Sequence, residues 1–152
     1  MAKYIFCCFL VVLFILLPGC SSSSADRFKE AQALIDKTVA ANPELVRLTI
    51  HAVPSGQTQS RIIACNVHEK LGKLDDPEDL EVVRIKKTIV LKEGDNLDVT
   101  APILDKSDNA IAATGITLRG LNAANEAMLT QKAKSIAIEL SQEIQKSDKP
   151  LW

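Results

Sequence analysis

The chain lacks most of what announces an enzyme. It has two histidines, His51 and His68, and no spacing that would make them a ligand pair on one element. It has no Gly-x-Ser-x-Gly elbow, no phosphate loop and no Gly-x-Gly-x-x-Gly turn, so the common hydrolase, nucleotide and dinucleotide signatures are missing. Lys and Arg number 18 against 19 Asp and Glu, which leaves no basic excess to attract nucleic acid. Beyond residue 20 there is no apolar run long enough to span a bilayer, no internal repeat, and no low-complexity stretch except a few serines.

What is present begins at the N-terminus. Lys3 supplies a short positive region, and Tyr4 to Leu17 is an almost unbroken apolar run. A span needs about 20 such residues, so this run has the length of a secretory leader instead. Gly19, a small residue, directly precedes Cys20. The quartet Leu17-Pro18-Gly19-Cys20 resembles the bacterial lipobox, with Pro18 departing from the Ala, Ser or Thr usual there. The resemblance implies that residues 1–19 are a lipoprotein signal peptide and that Cys20 carries a thioether diacylglycerol and an N-acyl chain. Two lipid signals give stable attachment, each buried methylene contributing about 0.8 kcal/mol. Residues 20–24 are then anchor and serine tether, polar and with nothing to bury. Ser21 rather than Asp follows the cysteine, which in the enterobacterial sorting rule implies the outer membrane rather than the inner. The expected location is therefore the bacterial cell envelope, lipid-anchored on the periplasmic side.

Of the four cysteines, Cys7 and Cys8 would leave with the leader and Cys20 would be modified. Cys65 alone would remain, so no intramolecular disulfide is expected. It lies in the strand-like run Arg61-Ile-Ile-Ala-Cys-Asn-Val67 and reads as a small buried hydrophobe.

Residues 25–147 read as one domain and 148–152 as a short tail. Phe28, Ala31, Ile35, Thr38 and Val39 recur at helical spacing after Ser23, and Asn42-Pro43 ends that helix. Leu45 to Val53 alternates: Val46, Leu48, Ile50 and Ala52 on one face, Arg47, Thr49 and His51 on the other. After the turn-rich Pro54–Gln59, Ser60–Val67 makes a second strand, and His68–Leu74 reads as irregular. Asp76-Pro77-Glu78-Asp79 is a helix start, with a cap aspartate, proline at the first position and acids in the first turn. The acids Asp75, Asp76, Glu78, Asp79 and Glu81 would suit a cation, but no calcium-loop spacing accompanies them and the positive end of the helix dipole accounts for them. Lys87–Lys92, Leu97–Leu104 and Ala110–Leu118 are three further strands joined by tight turns. A long helix with the stripe Leu129, Ala133, Ile136, Leu140 and Ile144 follows over 121–146.

Strands in short-turn succession make an antiparallel sheet, and terminal helices cover it: an α+β domain. The order resembles the PAS-like Cache domains of extracytoplasmic sensors. The resemblance is carried by Leu48–Pro54, Ile62–Asn66, Asp76–Leu80, Ala101–Lys106 and Ala110–Ile116. It implies a five-stranded antiparallel sheet with the long N- and C-terminal helices packed on one face, and a ligand cavity between the sheet and its connecting helix or loop. A sensor of this size needs a protein partner to signal.

The candidate ligand-binding residues are Arg47, Thr49, His51, Asp98 and Thr100, closed over by the His68–Ile85 segment. Arginine beside a threonine hydroxyl suits a carboxylate. A zinc site from His51, Cys65 and His68 is conceivable only if the first hairpin gathers them, and the spacing does not declare one. The expectation is thus a small-molecule binding module, not an enzyme, with no catalytic residue, metal or cofactor. The alternative is a structural or partner-binding envelope lipoprotein.

Overall fold

The computed structural model describes residues 24–147 and 151–152. The leader, Cys20 and Ser21 to Ser23 lie outside the described residues. Among the described residues no helix is long and apolar enough to cross a membrane.

The chain runs α1 (Ser24–Ala41), β1 (Leu45–Ala52), β2 (Arg61–Cys65), α2 (Pro77–Ile85), β3 (Ile89–Glu93), β4 (Asn96–Leu104), β5 (Ala110–Arg119) and α3 (Glu126–Lys146), with a single 3-10 turn at His68–Lys70. The five strands form one antiparallel sheet in the order β2-β1-β5-β4-β3. The class is α+β, as the alternation and short turns imply. The last strand inserts between β1 and β4, so residues far apart in sequence meet on its two sides.

Strand alternation sorts the sheet into two faces. Leu48, Ile50 and Ala52 of β1, Leu97, Val99, Ala101 and Ile103 of β4, and Ala112, Ile116 and Leu118 of β5 form one buried cluster. Ala31 and Ile35 of α1 and Leu129, Ala133, Ile136, Leu140 and Ile144 of α3 join the same cluster. Val46, expected on this face, is instead 39% exposed, because the β1–β5 register shifts between Leu45 and Arg47. The extra residue of that bulge sends Leu45 into the core in its place. Leu151, assigned to the tail, is also buried in this core, and Trp152 packs against it.

Edge strand β2 is covered rather than bare. The Gln32 side chain of α1 donates to the Cys65 carbonyl and accepts the Cys65 N–H, both at 3.1 Å. Further along the same open edge the loop after it turns back: Ile62 N–H donates to the Lys73 carbonyl, Gly72 N–H to the Ile62 carbonyl and Asp75 N–H to the Ser60 carbonyl. Such pairing protects an edge from association. It also makes the stretch expected to be irregular an ordered strap. Helix α3 starts five residues later than expected, at Glu126. The Asn122 side chain accepts the Ala124 N–H and the Asn125 side chain accepts the Asn122 N–H. These local bonds compete with the helix and hold 121–125 in turns.

Candidate functional site

The other face of the sheet carries α2. The helix begins as its sequence implies, with Asp76 as N-cap and Pro77 next, and Asp79 accepts the Asp76 N–H at 3.1 Å. Val82, fully buried, anchors it over β4 and β5. The absence of a side chain at Gly115 makes room for Thr49 and His51 of the neighbouring strand. A Cβ at Gly115 would lie 2.6 Å from Thr49 Oγ1, closer than atoms pack.

Three cross-strand rows lie under α2. Arg47, Thr117 and Asp98 make the first, Thr49, Gly115 and Thr100 the second, and His51, Ala113 and Pro102 the third. In the first row the Arg47 guanidinium pairs with Asp98 Oδ2 at 3.1 Å, and Thr117 Oγ1 donates to Asp98 Oδ1 at 2.7 Å. In the second, Thr49 Oγ1 accepts the Gly115 N–H at 3.1 Å and lies 3.3 Å from its carbonyl. His51 reaches in two directions: Nε2 is 2.7 Å from Thr49 Oγ1, and Nδ1 is 2.9 Å from Asp75 Oδ1 and 3.3 Å from Asp79 Oδ2.

A cavity of about 190 Å³ opens between these rows and α2. All five residues proposed from alternation, Arg47, Thr49, His51, Asp98 and Thr100, line it, together with Gly115, Lys70 and the acids Asp76, Glu78, Asp79 and Glu93. Arg47 is not a vacant anchor for a ligand carboxylate, since Asp98 already holds it. The acids outnumber Arg47 and Lys70, so the wall favours donors and positive charge. Burial is the largest influence on Asp79 and pushes its carboxyl above the usual carboxylate range, opposed mainly by His51.

The acids therefore do not act together. Glu81 points outward and pairs with Arg84 on its own helix. Asp75 and Asp79 turn inward to His51, which the dipole explanation of the cluster did not foresee. The sequence marks Asp79 as a capping acid at the third helical position and both residues as members of the acid cluster, but it does not show that the strap along β2 delivers Asp75 to His51. The zinc grouping is not formed: Cys65 is buried, with its thiol accepting the Val67 N–H, while His68 is exposed. Burial pushes the Cys65 thiol up, which keeps it protonated and inert.

No protein-family model and no curated protein matches the sequence. Solved structures match by fold. The GAF domain region of a protein from Geobacter sulfurreducens PCA superposes with a TM-score of 0.58 at 13% identity, covering 82% of this chain and 96% of that one. The nlh2 GAF domain of A. aeolicus does so with a TM-score of 0.54 at 10% identity, covering 81% and 97%. A free methionine-R-sulfoxide reductase from Thermoplasma acidophilum matches more loosely, TM-score 0.47 at 16% identity over 79% and 95%, and carries no weight for this chain. The chain thus has the GAF-type, PAS-like fold. Whether its domain binds or reacts is a question for the site.

Proposed function

We propose that the chain is a sensor module that binds a small polar molecule in the cavity between the sheet and α2, and does not transform it. The observation that carries this reading is the cavity itself: polar side chains from three strands converge on it under a helix whose fully buried apolar residue is Val82. The GAF-type neighbours support it at the level of fold. The acid-rich wall favours a ligand with amino or hydroxyl donors over a carboxylate. In the same reading the lipobox-like quartet makes Cys20 a lipid anchor, with the domain on the periplasmic side, at the outer membrane by the Ser21 rule, and a protein partner relaying the signal. The Cache subclass belongs to this proposal too.

A thermal-shift screen of the chain against amines, polyols and carboxylates tests the binding. One donor-bearing compound should raise the melting temperature, by an amount equivalent to about 2.7 kcal/mol at a hundredfold excess over its dissociation constant. Turnover of that compound would make the protein an enzyme. Unchanged affinity in both Arg47→Ala and His51→Ala would remove this face as the site. For the anchor, Cys20→Ala should shift the protein from the membrane to the soluble fraction, and a mature N-terminus well downstream without acyl mass would overturn it.

A second reading has its own support. Arg47 and Asp98, and Thr49 and His51, already pair within the cavity wall, and Met128 and Ile138 of α3 are 64% and 56% exposed. A partner-binding lipoprotein would respond to no compound and would retain one specific protein after cross-linking.

A further inference from the structure

One end of the cavity shares His51 with the proposed ligand site and sets two carboxylates beside it. The donor atoms of His51, Asp75 and Asp79 all lie within 4.8 Å of one another. Their side chains are 8%, 3% and 9% exposed, so each is more than nine-tenths buried. They come from three separate places, β1, the strap along β2 and the first turn of α2.

The far ring nitrogen decides what Nδ1 can do. Thr49 Oγ1 accepts the Gly115 N–H and has the Gly115 carbonyl within reach of its own proton. A hydroxyl used in that way leaves Nε2 as the donor to it, across 2.7 Å. A neutral His51 then turns the lone pair of Nδ1 toward two carboxyl groups, and with both ionised all three groups are acceptors. Three buried acceptors facing one point are costly unless a cation sits among them. A proton on Nδ1 serves the 2.9 Å contact to Asp75 well but leaves one positive charge against two buried carboxylates. A divalent ion balances both.

We infer that His51 Nδ1, Asp75 and Asp79 form a binding site for a first-row divalent cation, Zn²⁺ or Mn²⁺, reached through the cavity that His51 and Asp79 line. One imidazole nitrogen and two carboxylates suit those ions, whose bonds to N and O are about 2.0–2.2 Å for zinc. The surroundings have the form such sites show, in which the ligating histidine donates its other N–H to a fixed oxygen. Here that oxygen is the Thr49 hydroxyl, itself held by Gly115, and Asp79 is oriented by the Asp76 N–H. Asp76 and Glu78 line the approach with further negative charge.

The test is calorimetric titration of the metal-free full chain with zinc chloride and, separately, manganese chloride. One ion per chain should bind. Asp75→Asn and Asp79→Asn should each weaken binding at least about tenfold, and Thr49→Val about tenfold by freeing the ring. His68→Ala, exposed and outside the cluster, should bind as the parent does. Circular dichroism establishes which variants fold. Asp75→Asn caps no helix, so it decides should Asp79→Asn fail to fold. The parent chain decides alone through Mn²⁺ broadening of amide NMR signals, which should centre on His51, Asp75 and Asp79. No binding of either ion, parental affinity in the folded variants, or broadening centred elsewhere would overturn the site and leave the cluster a proton-bridged clamp between α2 and the sheet.

Discussion

The two faces of the one sheet follow different rules. Under α1 and α3, Leu48, Ile50, Leu97, Val99, Ile103, Ile116 and Leu118 are buried by side chains that need only be apolar and fit. Apolar burial has no direction, so many arrangements satisfy it. Under α2, Arg47, Thr49, His51, Asp75, Asp79, Asp98 and Thr117 are held by partners at defined distances. A buried polar group without its partner costs more than the bond contributes. The first face therefore supplies stability, and the second spends some of it on a shaped, charged recess.

The sharpest contrast comes from truncation. Leu48→Ala or Ile116→Ala on the apolar face should cost about 2–5 kcal/mol in urea unfolding. Arg47→Ala on the polar face should cost about 1–3 kcal/mol, because Asp98 is left with Thr117 alone. Equal costs on the two faces would break the distinction.

Gly115→Ala tests the closeness of the polar face. The new Cβ would collide with Thr49 Oγ1, so overpacking should cost about 1–3 kcal/mol. In a Thr49→Ala background the colliding atom is gone, and the added cost of Gly115→Ala should fall by at least about 0.5 kcal/mol in a double-mutant cycle. Strict additivity would mean that the two side-chain positions do not meet.

The smallest effect belongs to neither face. Asp105, at the β4–β5 turn, accepts the backbone N–H groups of Ser107 and Asn109 at 2.8 Å. The Asn109 N–H is the largest influence holding its carboxyl below the usual range. Its folded pKa lies below the unfolded value, so its contribution is complete above the ordinary carboxylate value of 3.8 and is lost as pH falls through the folded pKa. Asp105→Ala should therefore be less stable than the parent near neutral pH, with the gap closing in acid. A gap that widens in acid would contradict this.

The sequence by itself determined the elements and the two faces of most strands. Alternation in β1 and β4 separated Leu48 and Ile50 from Thr49 and His51, and Leu97 and Val99 from Asp98 and Thr100, because successive side chains must point to opposite sides. Asp76-Pro77 marked the start of α2 because cap chemistry is local. Val46 escaped that logic, since a bulge shows only when a partner strand sets the register. What the tertiary structure alone decided was which polar groups meet. The β1–β5–β4 adjacency brings Arg47 to Asp98 across 51 positions, and the strap along β2 brings Asp75 to His51 across 24. Those encounters depend on strand order and loop path, which are set by the packing of the whole chain, whereas periodicity and capping are set within a few neighbouring residues.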